Sequence, residues 1–181
     1  MLPPGHIAGA YLATSAVLLL THPVVSPEQM QNLVFIGIFF GIAPDLDFFY
    51  GFTSQNVWTI PNDKFDYKKS LSHAPLLWLL LAALIYFLAR DSYLKEVGLL
   101  IWAGSWTHFL LDSIDNGVMW LYPFTIKRYA LFLKEKKYVT VETKFFPFWI
   151  GLVRWYAKNM VSFWLEVATI VIAGVVVFTT K

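Results

Sequence analysis

The chain has 181 residues, of which 57% are hydrophobic, 18% aromatic and only 14% charged, with a mean hydropathy of +0.57. Soluble domains carry roughly 25% charged residues, so this composition excludes an ordinary soluble domain and predicts a single integral membrane domain over 1–181. A net charge of +2 is too small to argue for nucleic acid as a partner, and the absence of cysteine removes thiolate metal sites, disulfides and cysteine nucleophiles together.

No Lys or Arg precedes Lys64, so the basic leader of a secretory signal is missing and the first apolar segment is expected to be retained. That segment, Pro4 to Leu20, opens with prolines suited to a helix start and carries His6 at its mouth. Two prolines between Thr21 and Pro27 predict a turn holding His22. A second helix is expected from about Glu28 to Ala43. It is short for a crossing, which usually takes roughly 20 residues.

Pro44-Asp45-Leu46-Asp47 follows, then a polar loop from Gly51 to Ser72 with Lys64, Lys68 and Lys69. A Leu-rich third helix is expected from about Leu71 to Ala89, a charged turn from Arg90 to Glu96, and a fourth helix from Val97 to about Ile114. Gly117 to Lys144 reads as a second polar loop. Phe145 to Lys158, aromatic with Arg154 and Lys158, suits an interfacial helix, and Met160 to Phe178 is long enough to cross. The expected fold class is therefore all-α: a polytopic transmembrane bundle of about five membrane helices plus an interfacial helix. Residues 1–130 would form the core of the site, and 145–179 the interfacial and last transmembrane helices.

The fourth helix holds the most informative stretch, Gly104 to Gly117. His108 and Asp112 stand four positions apart, which on a helix places them on one face within reach of one metal ion or one proton. Ionisable residues at membrane depth cost roughly 2.5–3.5 kcal/mol each and are seldom without a partner. Alternating crossings bring His6, Asp45, Asp47, His73, His108, Asp112 and Asp115 to one face of the membrane. The same layout puts nine Lys and Arg in the two loops of that face, against Arg90 and Lys95 opposite, so this face is expected to be cytoplasmic in the cell membrane.

Each residue also has a plainer use. His108 and Asp112 can fasten two helices, Asp45 and Asp47 can form an Asx turn after a helix stop, and His73 can cap the third helix beside Ser70 and Ser72. Asp115 can be a helix-end carboxylate in water. Ser105 lacks the Gly-x-Ser-x-Gly elbow of a serine hydrolase. Gly37 and Gly41, with Gly98 and Gly104, read as close helix packing rather than phosphate loops.

The order of these motifs resembles the YdjM-like membrane-bound metal-dependent hydrolases: an N-terminal His6, Pro44-Asp45-Leu46-Asp47, Ser72-His73, Gly104-x-x-Thr107-His108-x-x-x-Asp112 and Tyr122-Pro123-Phe124, over about the first 130 residues. That family's ligand pattern is similar to those of zinc-dependent phospholipases C and fungal single-strand nucleases. The resemblance implies a site for one or two divalent ions, zinc first with manganese or magnesium as alternatives. Its ligands would be Asp45 or Asp47, His73, His108 and Asp112, with His6 holding a second ion across Asp112. Lys68-Lys69-Ser70 stands where the family usually has His-Arg-Gly, and the ligands for a third ion have no counterpart.

Such a centre would activate water and clamp a phosphate ester. A carboxylate not used as a ligand, among Asp45, Asp47 and Asp115, would take the proton, and Lys68, Lys69, Lys127 and Arg128 would neutralise the phosphate. The expected activity is a phosphoesterase, phospholipase C-like or a lipid phosphatase, acting on a membrane lipid or polyprenyl phosphate at the cytoplasmic interface. The competing reading is an ion- or proton-coupled transporter, or a scaffold with a structural metal.

Overall fold

The computed structural model describes residues 1–46, 59–60, 71–115, 117–132, 140–141 and 145–179. Six α-helices lie among them: α1 (Pro3–Thr21), α2 (Pro27–Ile42), α3 (Pro75–Leu88), α4 (Ser92–Asp112), α5 (Phe145–Asn159) and α6 (Ser162–Thr179). The only paired strands described are two residues each, β1 (Thr59–Ile60) antiparallel to β2 (Thr140–Val141).

Local chemistry explains the boundaries. Ser26 and Gln29 form a reciprocal capping box at the start of α2, with Pro27 at the first helical position. Pro44 cannot extend α2, and the chain tightens into a 3-10 turn over Ala43–Asp45. A second such turn, Leu71–His73, precedes α3 and is tied to it by Trp78 Nε1, which donates to the Ser72 carbonyl at 2.7 Å.

The start of α4 departs from the expected turn over Arg90 to Glu96. Asp91 caps the helix by accepting from the Leu94 amide at 2.8 Å, so α4 begins at Ser92. Glu96 lies inside it, buried and accepting from the Thr21 hydroxyl at 3.0 Å. The other end also differs: α4 stops at Asp112, and Asp115 lies beyond it.

α4 is the central helix, packed against α1, α2 and α3, while α6 packs against α1. Its crossings are closed by glycines. A Cβ on Gly37 would overlap the Thr14 hydroxyl, one on Gly41 would overlap the Ala10 side chain, and one on Gly104 would overlap the Gly37 carbonyl. Expected helix packing at Gly37, Gly41 and Gly104 is thus found, and it brings three backbones together where His6, Gly41 and His108 meet. Leu18, Leu33 and Leu100 form an apolar cluster with Val17, Met30 and Val97 nearer the other end of these helices.

Two helices, α1 and α6, are both long and apolar enough by themselves to cross a membrane. This is fewer than the five expected. α3 has 14 residues, about 21 Å at 1.5 Å per residue, shorter than a hydrocarbon core of roughly 30 Å. α2 has 16 residues, and α4 has 21 but carries Lys95, Glu96, His108 and Asp112 within it. The helical surface is apolar: Phe35, Leu80, Phe87, Leu88, Val171 and Phe178 are exposed, while His6, His108 and Asp112 are buried.

Candidate metal centre

Two helices and two 3-10 turns supply the site. His6 comes from the second turn of α1, Asp45 from the turn after α2, His73 from the turn before α3, and His108 and Asp112 from one face of α4. The ligand-capable atoms fall into two compact groups, His6/His108/Asp112 and Asp45/His73/His108, each with its atoms within 4.8 Å of one another. His108 is the member common to both.

Between the groups, His6 Nε2 stands 3.3 Å from Asp112 Oδ1 and 4.0 Å from Asp45 Oδ2. Asp45 Oδ1 stands 3.2 Å from His73 Nε2 and 3.7 Å from His108 Nε2. The His6 and His108 rings stack at 3.9 Å, and His73 meets His108 edge-on at 5.6 Å. Five side chains thus point at one small volume, with three imidazole and two carboxylate donors.

The orientation of His108 is set from outside the cluster. Its Nδ1 lies 3.0 Å from the Gly41 carbonyl, one of the last carbonyls of α2 and so free of a helical partner. A carbonyl only accepts, so Nδ1 carries the proton and Nε2 presents its lone pair to the cluster, the arrangement typical of a metal-ligating histidine. One lone pair binds one ion. The two groups therefore either share a single ion or divide so that His108 serves only one of two.

His108 Nε2 and both ring nitrogens of His6 are buried with no hydrogen-bond partner among the described residues. Leaving one buried polar atom unsatisfied costs about 1–3 kcal/mol, and here three lie side by side in an apolar setting. A divalent cation would take the lone pairs of His108 Nε2 and of one His6 nitrogen and neutralise the two carboxylates. Mixed imidazole and carboxylate donors suit zinc and related first-row ions, so the residues present fit the group.

Access is uneven. The side chains of His6, His73, His108 and Asp112 are 0–3% exposed, but that of Asp45 is 13% exposed, which makes it the mouth of the site. Phe109, fully buried beside His73 and His108, forms part of the apolar wall. The Met1 amino group lies 2.6 Å from Asp112 Oδ1.

The other expected site residues lie outside these two groups or outside the described residues. Asp115, expected as a candidate proton acceptor, accepts from the Ser162 amide at 2.7 Å and so caps the start of α6 instead. Lys127 and Arg128 lie on the segment that returns to the end of α4, where Val118 and Tyr129 exchange backbone hydrogen bonds and the Leu131 and Phe132 amides donate to the Ser113 and Ile114 carbonyls. Lys127 is exposed, with Nζ 5.4 Å above the Tyr129 ring. Asp47, Lys68 and Lys69 lie outside the described residues. His22, read as a turn residue, ends α1 in a left-handed conformation at φ 46°.

Glu166 was missed as a partner of this region. It is buried, accepting from the Leu2 and Gly5 amides, each at 3.1 Å, and from the Tyr156 hydroxyl at 2.9 Å. A carboxylate in an otherwise apolar last helix was the available signal, but two of its three partners are backbone groups more than 160 positions away.

A family model described as YdjM inner membrane protein matches residues 1–181, the whole chain. No curated protein and no solved structure matches it.

Proposed function

Because the chain belongs to the YdjM inner membrane protein family, we propose that it is a multi-pass membrane metal-dependent hydrolase, a phosphoesterase acting on a lipid or polyprenyl phosphate at the cytoplasmic interface. The observation that carries the metal centre is the set of orphaned, buried nitrogens on His6 and His108 facing Asp45 and Asp112. In this reading α1, α2, α3, α4 and α6 cross the membrane, the shorter ones completed by their flanking turns. α5, with Arg154 and Lys158 exposed, lies at the interface.

Zinc, when bound, would supply Lewis acidity toward a phosphate ester and could lower the pKa of its bound water from 15.7 to about 7, whereas manganese or magnesium in its place would supply chiefly the Lewis acidity. The protein does the rest. His6, His73, His108 and Asp112 would hold the ion, while the Gly41 carbonyl keeps His108 in its binding tautomer. Asp45, at the mouth, either completes the ligand set or takes a proton from attacking water. Lys127 and Arg128 offer charge to the phosphate, Arg128 as the better bidentate partner. The phosphate-ester part of the proposal rests on the resemblance of the motif order to a ligand pattern like that of zinc-dependent phospholipases C, and a site at helix ends suits a substrate that is itself in the bilayer.

Hydrolysis of phospholipid and polyprenyl phosphate analogues by purified protein in lipid nanodiscs tests the activity. Turnover is expected with metal, lost on chelation and restored by adding the ion back; K127A/R128A should raise KM with metal content unchanged. Metal-loaded protein with no turnover on any of these substrates would point to a structural metal. Metal-free protein that carries a pH-dependent ion flux in liposomes would point to transport.

A further inference from the structure

α1 has an unusual start. Leu2 occupies its N-cap position and offers no side-chain acceptor, and Pro3 and Pro4 have no amide hydrogens. Glu166 of α6 accepts from two amides near this end, Oε2 from Leu2 and Oε1 from Gly5, the Gly5 amide being shared with the Leu2 carbonyl at 3.1 Å. A residue from the far end of the chain thus supplies the cap that Leu2 cannot. The negative carboxylate also sits at the positive end of the helix dipole.

The fit around Glu166 is close. A Cβ on Gly5 would stand 2.6 Å from Glu166 Cγ, so the glycine is what lets the carboxylate lie against the first turn. Tyr156 Oη is 2.9 Å from Glu166 Oε2 and 3.0 Å from Ser162 Oγ. Burial, with the Glu166 charge nearby, pushes the phenol well above its usual range, so the hydroxyl keeps its proton and donates. Ser162, in turn, gives its amide to Asp115, three residues past the metal-facing Asp112.

These contacts close a circuit. His6 follows Gly5 directly and faces Asp112, α4 leads on to Asp115, Asp115 holds the start of α6, and Glu166 on α6 holds the start of α1. We propose that Glu166 is a positioning residue for the metal centre: by capping α1 it fixes His6 at the distance from Asp112 and His108 that an ion requires. The last helix is then a working part of the site although none of its described residues is among the candidate ligands. This inference rests on reading the cluster as a metal centre.

A double-mutant cycle tests it. Zinc affinity is measured by competition with a chromogenic chelator for the full-length protein and for E166A, H6A and E166A/H6A. Loss of an outer partner typically costs about 10–100-fold in metal affinity, and E166A is expected to fall in that range. The double variant should be no weaker than H6A alone, because Glu166 acts through His6. Penalties that multiply, or an unchanged affinity in E166A, would overturn the proposal. E166Q, which keeps one acceptor oxygen, is expected to fall between the two, and it carries the cycle if E166A does not fold.

Amide exchange supplies a readout that needs no metal. Exchange in the first turn of α1 should accelerate in E166A and E166Q, and unchanged protection there would also overturn the proposal. Native protein that binds no zinc, together with faster exchange in the variants, would instead reject the metal reading while leaving the helix cap in place.

Discussion

H108A and D112A each abolish stoichiometric metal binding, whereas D115A keeps it: this is the expected outcome of metal analysis on the three purified variants. His108 offers the lone pair common to both ligand groups, so its loss removes a donor from each. The loss should exceed the roughly 10–100-fold typical of outer-shell partners. In D112A, His6 loses the carboxylate that faces it at 3.3 Å, and the buried imidazoles lose a compensating negative charge. Asp115 stands close in sequence and is also an aspartate, but it is engaged by the Ser162 amide, so D115A should loosen α6 and leave the ion. Full metal content in H108A or D112A would remove those residues from the site.

The second large effect is steric. G104L is expected to destabilise the protein by at least about 3 kcal/mol, the upper end of ordinary overpacking, because the added carbons meet backbone rather than a movable side chain. The obstructing groups are the Gly37 carbonyl and the Gly41 amide of α2, next to the Gly41 carbonyl that holds His108. Spreading α2 from α4 therefore also pulls the acceptor away from His108 Nδ1. Thermal unfolding in detergent should show a sharply lowered midpoint, and the surviving folded fraction should bind metal weakly. A midpoint within a degree or two of the native protein would mean that the helices are not packed at this glycine as described.

Much of the arrangement is legible in the sequence, and the reasons are specific. The i, i+4 spacing of His108 and Asp112 reports their shared face because α4 is regular through both. His6, Asp45 and His73 were reachable by crossing order, since each stands at a helix end marked by proline: Pro3 and Pro4, Pro44, and Pro75. Gly37, Gly41 and Gly104 were readable as packing residues in apolar context.

Other features depend on tertiary partners that no local pattern contains. Asp115 continues the His108 stripe only if the helix continues, and the chain leaves the helix at Ser113. Glu96 looks like part of a charged turn until Thr21, 75 positions earlier, is placed against it. Glu166 pairs with two backbone amides, groups that every residue but proline carries, so nothing in residue type reveals them. Of the five expected crossings, only α1 and α6 are long and apolar enough by themselves among the described residues; α2 and α3 are short, and the 3-10 turns beside them carry Asp45 and His73.

Elemental analysis of the purified, chelator-free protein tests the metal centre most directly. One or two equivalents of a divalent ion per chain, zinc foremost, with X-ray absorption showing nitrogen and oxygen donors, is the predicted result. Protein that purifies without such an ion and takes up none of zinc, manganese or magnesium when titrated would contradict it.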